Sequence, residues 1–174
     1  DTVCYNLAGI ENDQTGWGRK GESWETMQEI QVLGGPDWFK LGNRDLATPL
    51  ERTRRLHAGE KLHEITERFC SAWGGEAQVV PMSNDPVPTM VSTQWGEISF
   101  QRYFVELACE PVVSGFRFAG VGESRPAPGV ISAIEKADLV VICPSNPWVS
   151  IDPILAVPGI RSALKDSLVI AVSP

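Results

Sequence analysis

The chain has 174 residues, and its 22 Asp and Glu outnumber its 15 Lys and Arg, for a net charge of −7. That acidity argues against a nucleic-acid coat, which needs a basic surface, but leaves room for a nucleotide held by a local cation. No apolar run reaches the length of a membrane span, no signal peptide is visible, and the length suits one α/β domain over residues 1–174.

Taken in order, Asp1 to Ala8 reads as a loop entering a short element, and Asn12 to Gly21 is rich in turn formers. Glu22 to Leu33 is helix-like, with Trp24, Met27, Ile30 and Leu33 on one stripe, and Gly34-Gly35-Pro36 ends it. Thr48-Pro49-Leu50-Glu51 fits a capping box with proline at the first helical position, opening a basic helix that stops near Gly59. Lys61 to Trp73 is a second amphipathic helix. Arg54 and Arg55 read as a solvated face, and His57 and His63 lack partners at metal-ligand spacing.

Ala77 to Val80 looks like a strand ended by Pro81 and followed by the polar loop Met82-Ser83-Asn84-Asp85-Pro86. Thr89 to Thr93 and Glu97 to Phe100 suggest a hairpin around Trp95-Gly96. Gln101 to Ala108 is expected to be helical, Val112 to Phe118 a strand, Gly120 to Gly129 a Gly/Pro loop and Val130 to Lys136 a short helix. Leu139 to Cys143 then reads as a strand covered on both faces, ending at Pro144 and opening into Ser145-Asn146-Pro147. Ser150 is the N-cap candidate of the next helix, Pro158 to Lys165 forms the last helix, and Leu168 to Val172 the last strand.

This alternation predicts a Rossmann-like, mostly parallel sheet with flanking helices and a β-hairpin insertion. Both ends of the chain meet apolar runs, so the expectation is an internal piece of a larger α/β protein. The four cysteines, Cys4, Cys70, Cys109 and Cys143, show no CxxC or zinc spacing and read as reduced thiols in a cytoplasm.

No Ser/His/Asp order, GxSxG elbow, HExxH, Walker loop or GxGxxG occurs. What remains is a set of loop residues that one sheet edge could gather. They are Lys40, Asn43, Arg44 and Asp45, then Met82, Ser83, Asn84 and Asp85, then Ser145, Asn146 and Ser150. Carboxylates beside amide and hydroxyl oxygens suit magnesium, while lysine and helix N-termini suit phosphate. Such a set serves phosphoryl transfer and passive nucleotide binding equally well.

The motifs LGNRDLATPLERTRRL, PMSNDPVPT, FQRYFV and CPSNPWVSIDPILAVPGIR, in that order, resemble the 2-phospho-L-lactate transferases that build coenzyme F-420. The resemblance runs over essentially the whole chain. It implies a Rossmann-like fold and a transfer assisted by Mg2+. In that reaction the ribityl hydroxyl of the deazaflavin alcohol Fo (7,8-didemethyl-8-hydroxy-5-deazariboflavin) attacks the phosphate bearing a three-carbon acid. GMP leaves from the guanosine-diphosphate-activated donor, whose acid is lactate or enolpyruvate. Family habit adds a homodimer.

By motif, the resemblance makes Asp1 and Lys40 contacts to Fo, with Asp1 also the metal ligand. Asn43 and Arg44 join them on the substrate side, Met82 and Ser83 lie against the deazaflavin ring, and Ser145, Asn146 and Ser150 cradle the guanosine diphosphate. Asp1, Asp45 and Asp85 are the candidate catalytic carboxylates. The family usually has Asp where Asn43 stands and His where Pro49 stands. The family's Gly-rich N-terminal strand–loop and the segment after AVSP have no counterpart in these residues. The rival reading is a non-catalytic, nucleotide-sugar-binding relative of the gluconeogenesis-factor type, and a third is an isolated structural subdomain.

Overall fold

A computed structural model describes residues 1–173. The chain divides into two compact units, Asp1–Val79 and the part that begins at Val80.

The first unit is helical: α1 (Thr2–Leu7), α2 (Glu25–Val32), α3 (Asn43–His57) and α4 (Leu62–Ala72). Its core forms where α1 meets α4. Tyr5 is 1% exposed and packs edge-on against Trp73, with ring centroids 4.9 Å apart. Cys4, Met27, Ile65 and Cys70 are buried with it. The stripe expected on α4 thus points inward, and the Glu64 carboxylate steadies its start by accepting the Lys61 N–H at 2.7 Å. Arg19 lies over both the Tyr5 and Trp73 rings, 5.5 Å from each centroid.

Helix α3 begins six residues before the position that Thr48-Pro49 suggested, and Pro49 sits inside it. The reason is a cap supplied from a distance. The Glu22 carboxylate accepts the N–H groups of Arg44 at 2.8 Å and Asp45 at 2.9 Å, and Asn43 N–H donates to the Ser23 carbonyl. The first-turn donors are therefore satisfied well before Pro49, which costs the helix a hydrogen bond further along. Arg54 pairs with Glu51 on the outer face, as a solvated face would, whereas Arg55 departs from that reading: its side chain is only 19% exposed, drawn in by ion pairs with Glu51 and Glu60.

The second unit carries both sheets. Strands β1 (Thr89–Thr93), β2 (Gly96–Ser99) and β3 (Val113–Phe118) form an antiparallel sheet of order β2-β1-β3. In the central strand Val91 is fully buried and stands opposite Ile98 and Phe116. The hairpin turns at Gln94-Trp95, and Gly96 takes the positive φ of 104° that a side chain would resist. Strands β4 (Val140–Ile142) and β5 (Val169–Ala171) pair in parallel, joined by α6 (Asp152–Ala156) and α7 (Ile160–Lys165). Helix α5 (Val130–Lys136) leads into β4 and packs against α7.

The α/β class is therefore as the sequence predicts, with small sheets. Three expectations change in detail. Ala77 to Val80 is not a strand, because no described segment supplies the ladder partners a strand needs. The hairpin is widened by β3 into a sheet of its own, so parallel pairing among the described residues is confined to β4 and β5. Strand β4, expected within Leu139 to Cys143 to be covered on both faces, is open on one: Val141 and its register partner Ile170 are each about half exposed, at 50% and 49%.

Candidate functional site

In the first unit the expected substrate residues lie at and before the start of α3. Lys40 is exposed and lines a shallow pocket of about 390 Å³ with Gln31, Gly35 and Asp37. Asn43 bridges to α2, donating to the Glu25 carboxylate at 3.0 Å and accepting the Thr26 N–H at 3.2 Å. Arg44 donates from Nη1 to the Lys20 carbonyl at 3.0 Å. Each of these two side chains therefore holds backbone or a neighbouring carboxylate, which leaves Lys40 as the unencumbered cation of the stretch.

Asp45 is buried, and its carboxylate accepts the Tyr5 hydroxyl at 2.8 Å. Tyr5 also shares a hydrogen bond of 2.6 Å with Thr48. Burial, with Asp45 adding to it, pushes the Tyr5 phenol well above its ordinary range, so it stays protonated and keeps donating. This geometry makes Asp45 an anchor for α1 on α3.

Asp1 is exposed and forms an ion pair with Arg52 at 2.5 Å. A magnesium ion asks only one or two carboxylates of a protein when substrate phosphates supply the other oxygens. Asp1 fits that limited part only by exchanging Arg52 for the ion. Among the described residues no three His, Cys, Asp or Glu side chains cluster as a metal cage.

In the second unit two expected loops meet a third. The Ser83 hydroxyl, 3% exposed, donates to the Arg125 carbonyl at 2.6 Å and accepts the Asp85 N–H at 3.0 Å. The Asp85 carboxylate accepts the Arg125 N–H at 2.9 Å, and the Met82 carbonyl accepts the Ala127 N–H at 3.1 Å. Residues Met82 to Asp85 therefore grip the backbone of Arg125 from both sides. The same Gly/Pro loop reaches the other motif: Val121–Glu123 packs against α6.

The strand-end loop after β4 is capped by Asn146, whose Oδ1 accepts the N–H groups of Trp148 at 3.0 Å and Val149 at 3.2 Å. Ser150 does not serve as the N-cap that local pattern suggested. It lies inside a π-helical turn, Pro147–Ile151, with its N–H bonded to the Asn146 carbonyl at 3.0 Å. Asn146 wins because its short amide oxygen reaches two free donors, with Pro147 already shaped for the first position. Ser145 and Ser150 are half-buried beside it, and Met82 is half-buried in its own loop.

Sequence reasoning missed Glu22, Arg52 and Arg125. Glu22 and Arg52 act on partners more than twenty positions away, which no local pattern records. Arg125 had one visible signal, a single cation in a loop of glycines and prolines.

A family model described as 2-phospho-L-lactate transferase CofD matches residues 1–174. Among curated proteins, a phosphoenolpyruvate transferase of Streptomyces griseus is 44% identical, covering 100% of this chain and 57% of its own length. One of Streptomyces coelicolor is 42% identical, with the same shares. The chain thus spans a little over half the length of these relatives. A crystal structure of a UPF0052-family protein from Bacillus halodurans shares the fold, with a TM-score of 0.62 at 20% identity over 98% of this chain and 51% of that one. No helix among the described residues is long and apolar enough to cross a membrane.

Proposed function

The chain belongs to the 2-phospho-L-lactate transferase CofD family, and from that membership we propose that its protein is a transferase of coenzyme F-420 biosynthesis. The match across residues 1–174 carries this reading. The name of the similar Streptomyces proteins, phosphoenolpyruvate transferase, supports enolpyruvate as the three-carbon acid.

The reaction in this reading is an exchange at phosphorus. The ribityl hydroxyl oxygen of Fo bonds to the phosphate that carries the enolpyruvyl group. The bond from that phosphorus to the oxygen shared with GMP breaks, and GMP departs with the electron pair. The hydroxyl proton passes to solvent or a nearby carboxylate. Catalysis of this kind rests on positioning and charge neutralisation.

Lys40 and Asp1 are assigned to Fo, one offering a cation and the other an acceptor for a polyol hydroxyl. Met82 is assigned to the deazaflavin ring, with Ser83 shaping the loop behind it. Ser145, Asn146 and Ser150 are assigned to the guanosine diphosphate. Asp45 and Asp85 already accept hydrogen bonds from Tyr5 and from the Arg125 N–H, which supports holding roles for both. Magnesium, when bound, would supply charge neutralisation at phosphate, and Asp1 is the carboxylate assigned to it.

The test uses the complete gene product with Fo, magnesium and each of the two guanosine-diphosphate-activated donors. Mass spectrometry should find GMP and a phosphodiester of Fo with the enolpyruvyl donor. Absence of product with both donors, from folded protein that binds a nucleotide sugar, would move the assignment to the non-catalytic relative.

A further inference from the structure

Arg125 is held more firmly than an exposed residue of a loop needs to be. Its carbonyl accepts from the Ser83 hydroxyl, its N–H donates to the Asp85 carboxylate, and the next residue, Pro126, bridges to Ser83 in antiparallel fashion. The residues on either side of this clamp, Ser124 and Ala127, are 4% and 3% exposed, while Arg125 itself faces solvent. Backbone is therefore fixed on both sides of one outward-pointing side chain.

The guanidinium has no hydrogen bond or ion pair among the described residues. The other arginines of the same unit differ: Arg102 pairs with Glu106, Arg117 with Glu97 and Arg161 with Asp152. A planar fork of donors on a rigid base, left unpaired, suits a phosphate-type oxyanion, which takes two parallel hydrogen bonds from one guanidinium.

Its place in the unit agrees. The clamp joins the Met82–Asp85 loop to the Arg125 loop, whose turn Val121–Glu123 packs on α6, the helix that follows Asn146 and Ser150. Pro126 also approaches the turn after α6, where a Cβ on Gly159 would come 4.0 Å from its ring.

We propose that Arg125 binds the diphosphate of the donor, and that Ser83 and Asp85 are positioning residues that act through it. This rests on the transferase reading above. The one Ser83 hydroxyl proton faces two acceptors of the clamp, the Arg125 carbonyl at 2.6 Å and, more distantly, the Asp85 carboxylate at 3.5 Å, so it is already engaged within the fold.

The experiment titrates inorganic pyrophosphate into the complete gene product by calorimetry and measures turnover alongside. Arg125→Ala should weaken pyrophosphate binding about tenfold, the loss of one charged, bidentate contact, and Arg125→Lys should recover part of it. Ser83→Ala should weaken it less, and Ser83→Ala added to Arg125→Ala should cost nothing further, because both act through one contact. If Ser83→Ala does not fold, the two Arg125 variants, whose guanidinium makes no hydrogen bond or ion pair among the described residues, still decide the matter.

Binding by Arg125→Ala within twofold of the parent, or no pyrophosphate binding by the parent, overturns the proposal. Turnover of Fo with binding unaffected by Arg125→Ala would remove this inference and keep the transferase reading. Loss of binding in Arg125→Ala without turnover by the parent would do the reverse.

Discussion

The Glu22 carboxylate accepts the backbone N–H of Asp45 at 2.9 Å, twenty-three positions further along the chain. Its second oxygen takes the N–H of Arg44 at 2.8 Å. This occupies the end of α3 where an anion would otherwise be welcome, so the positive end of that helix is already spent. A Cβ on Gly42 would overlap the same carboxylate, which explains the glycine of the LGNRD stretch.

Glu22→Ala should therefore destabilise the protein by about 1–2 kcal/mol, the usual worth of a lost helix cap. Gly42→Ala should cost a similar amount by pushing Glu22 off its donors. The double variant should lose little more than either single one, since both remove one interaction. Urea unfolding of the four proteins measures this, and additive losses would mean that Gly42 serves something other than the cap.

Tyr5→Phe removes the donor to Asp45 and leaves a buried carboxylate oxygen without it. The expected cost is about 1–3 kcal/mol. The pH dependence carries its own signature. Because the folded phenol titrates above its unfolded value, the stability it contributes is complete below about pH 10 and fades as the pH rises past that point. Tyr5→Phe should flatten that alkaline decline in thermal melts, and an unchanged slope would show that another group sets it.

Ligand preference separates the two sets of assigned residues. Lys40→Ala and Asp1→Ala should weaken Fo binding more than GDP binding, read by Fo fluorescence and by calorimetry. Ser145→Ala and Asn146→Ala should do the opposite. Asn146→Asp refines the second claim, because its carboxylate keeps the cap on Trp148 and Val149 while repelling a phosphate. It should melt like the parent yet bind GDP at least tenfold more weakly, about 1.4 kcal/mol. A parent-like GDP affinity would move the diphosphate away from this loop.

The thiols should divide into two classes. Cys109 and Cys143 are exposed, whereas Cys4 and Cys70 are buried and face each other, with sulfurs 2.8 Å apart. Burial, reinforced by Cys4, pushes the Cys70 thiol up to about 12, so it carries almost no reactive thiolate at neutral pH. A thiol reagent followed by peptide mass spectrometry should label Cys109 and Cys143 in native protein and reach Cys4 and Cys70 only after denaturation. Rapid native labelling of Cys70 would show that α1 detaches readily from α4.

Much of the architecture was legible because its causes are local. The apolar stripe of α4, the glycine at the hairpin turn and the span of α5 at Val130–Lys136 are written in adjacent residues. The start of α3 was misread because Thr48-Pro49 carries strong local capping chemistry, while the cap that operates comes from Glu22. The Ala77–Val80 run was misread as a strand for the converse reason: apolar pattern is local, but a ladder partner is not.

The sequence by itself determined the α/β class, the family and the order of the polar loops, since these depend on periodicity and on motifs a few residues long. Only the tertiary structure decided which distant groups several of the candidate residues hold. It gave Asp45 to Tyr5 across 40 positions, Asp1 to Arg52 across 51, and Ser83 to the Arg125 backbone across 42. A side chain's hydrogen-bonding capacity is finite, and whether it is spent on the fold or left for a ligand depends on which distant groups arrive beside it.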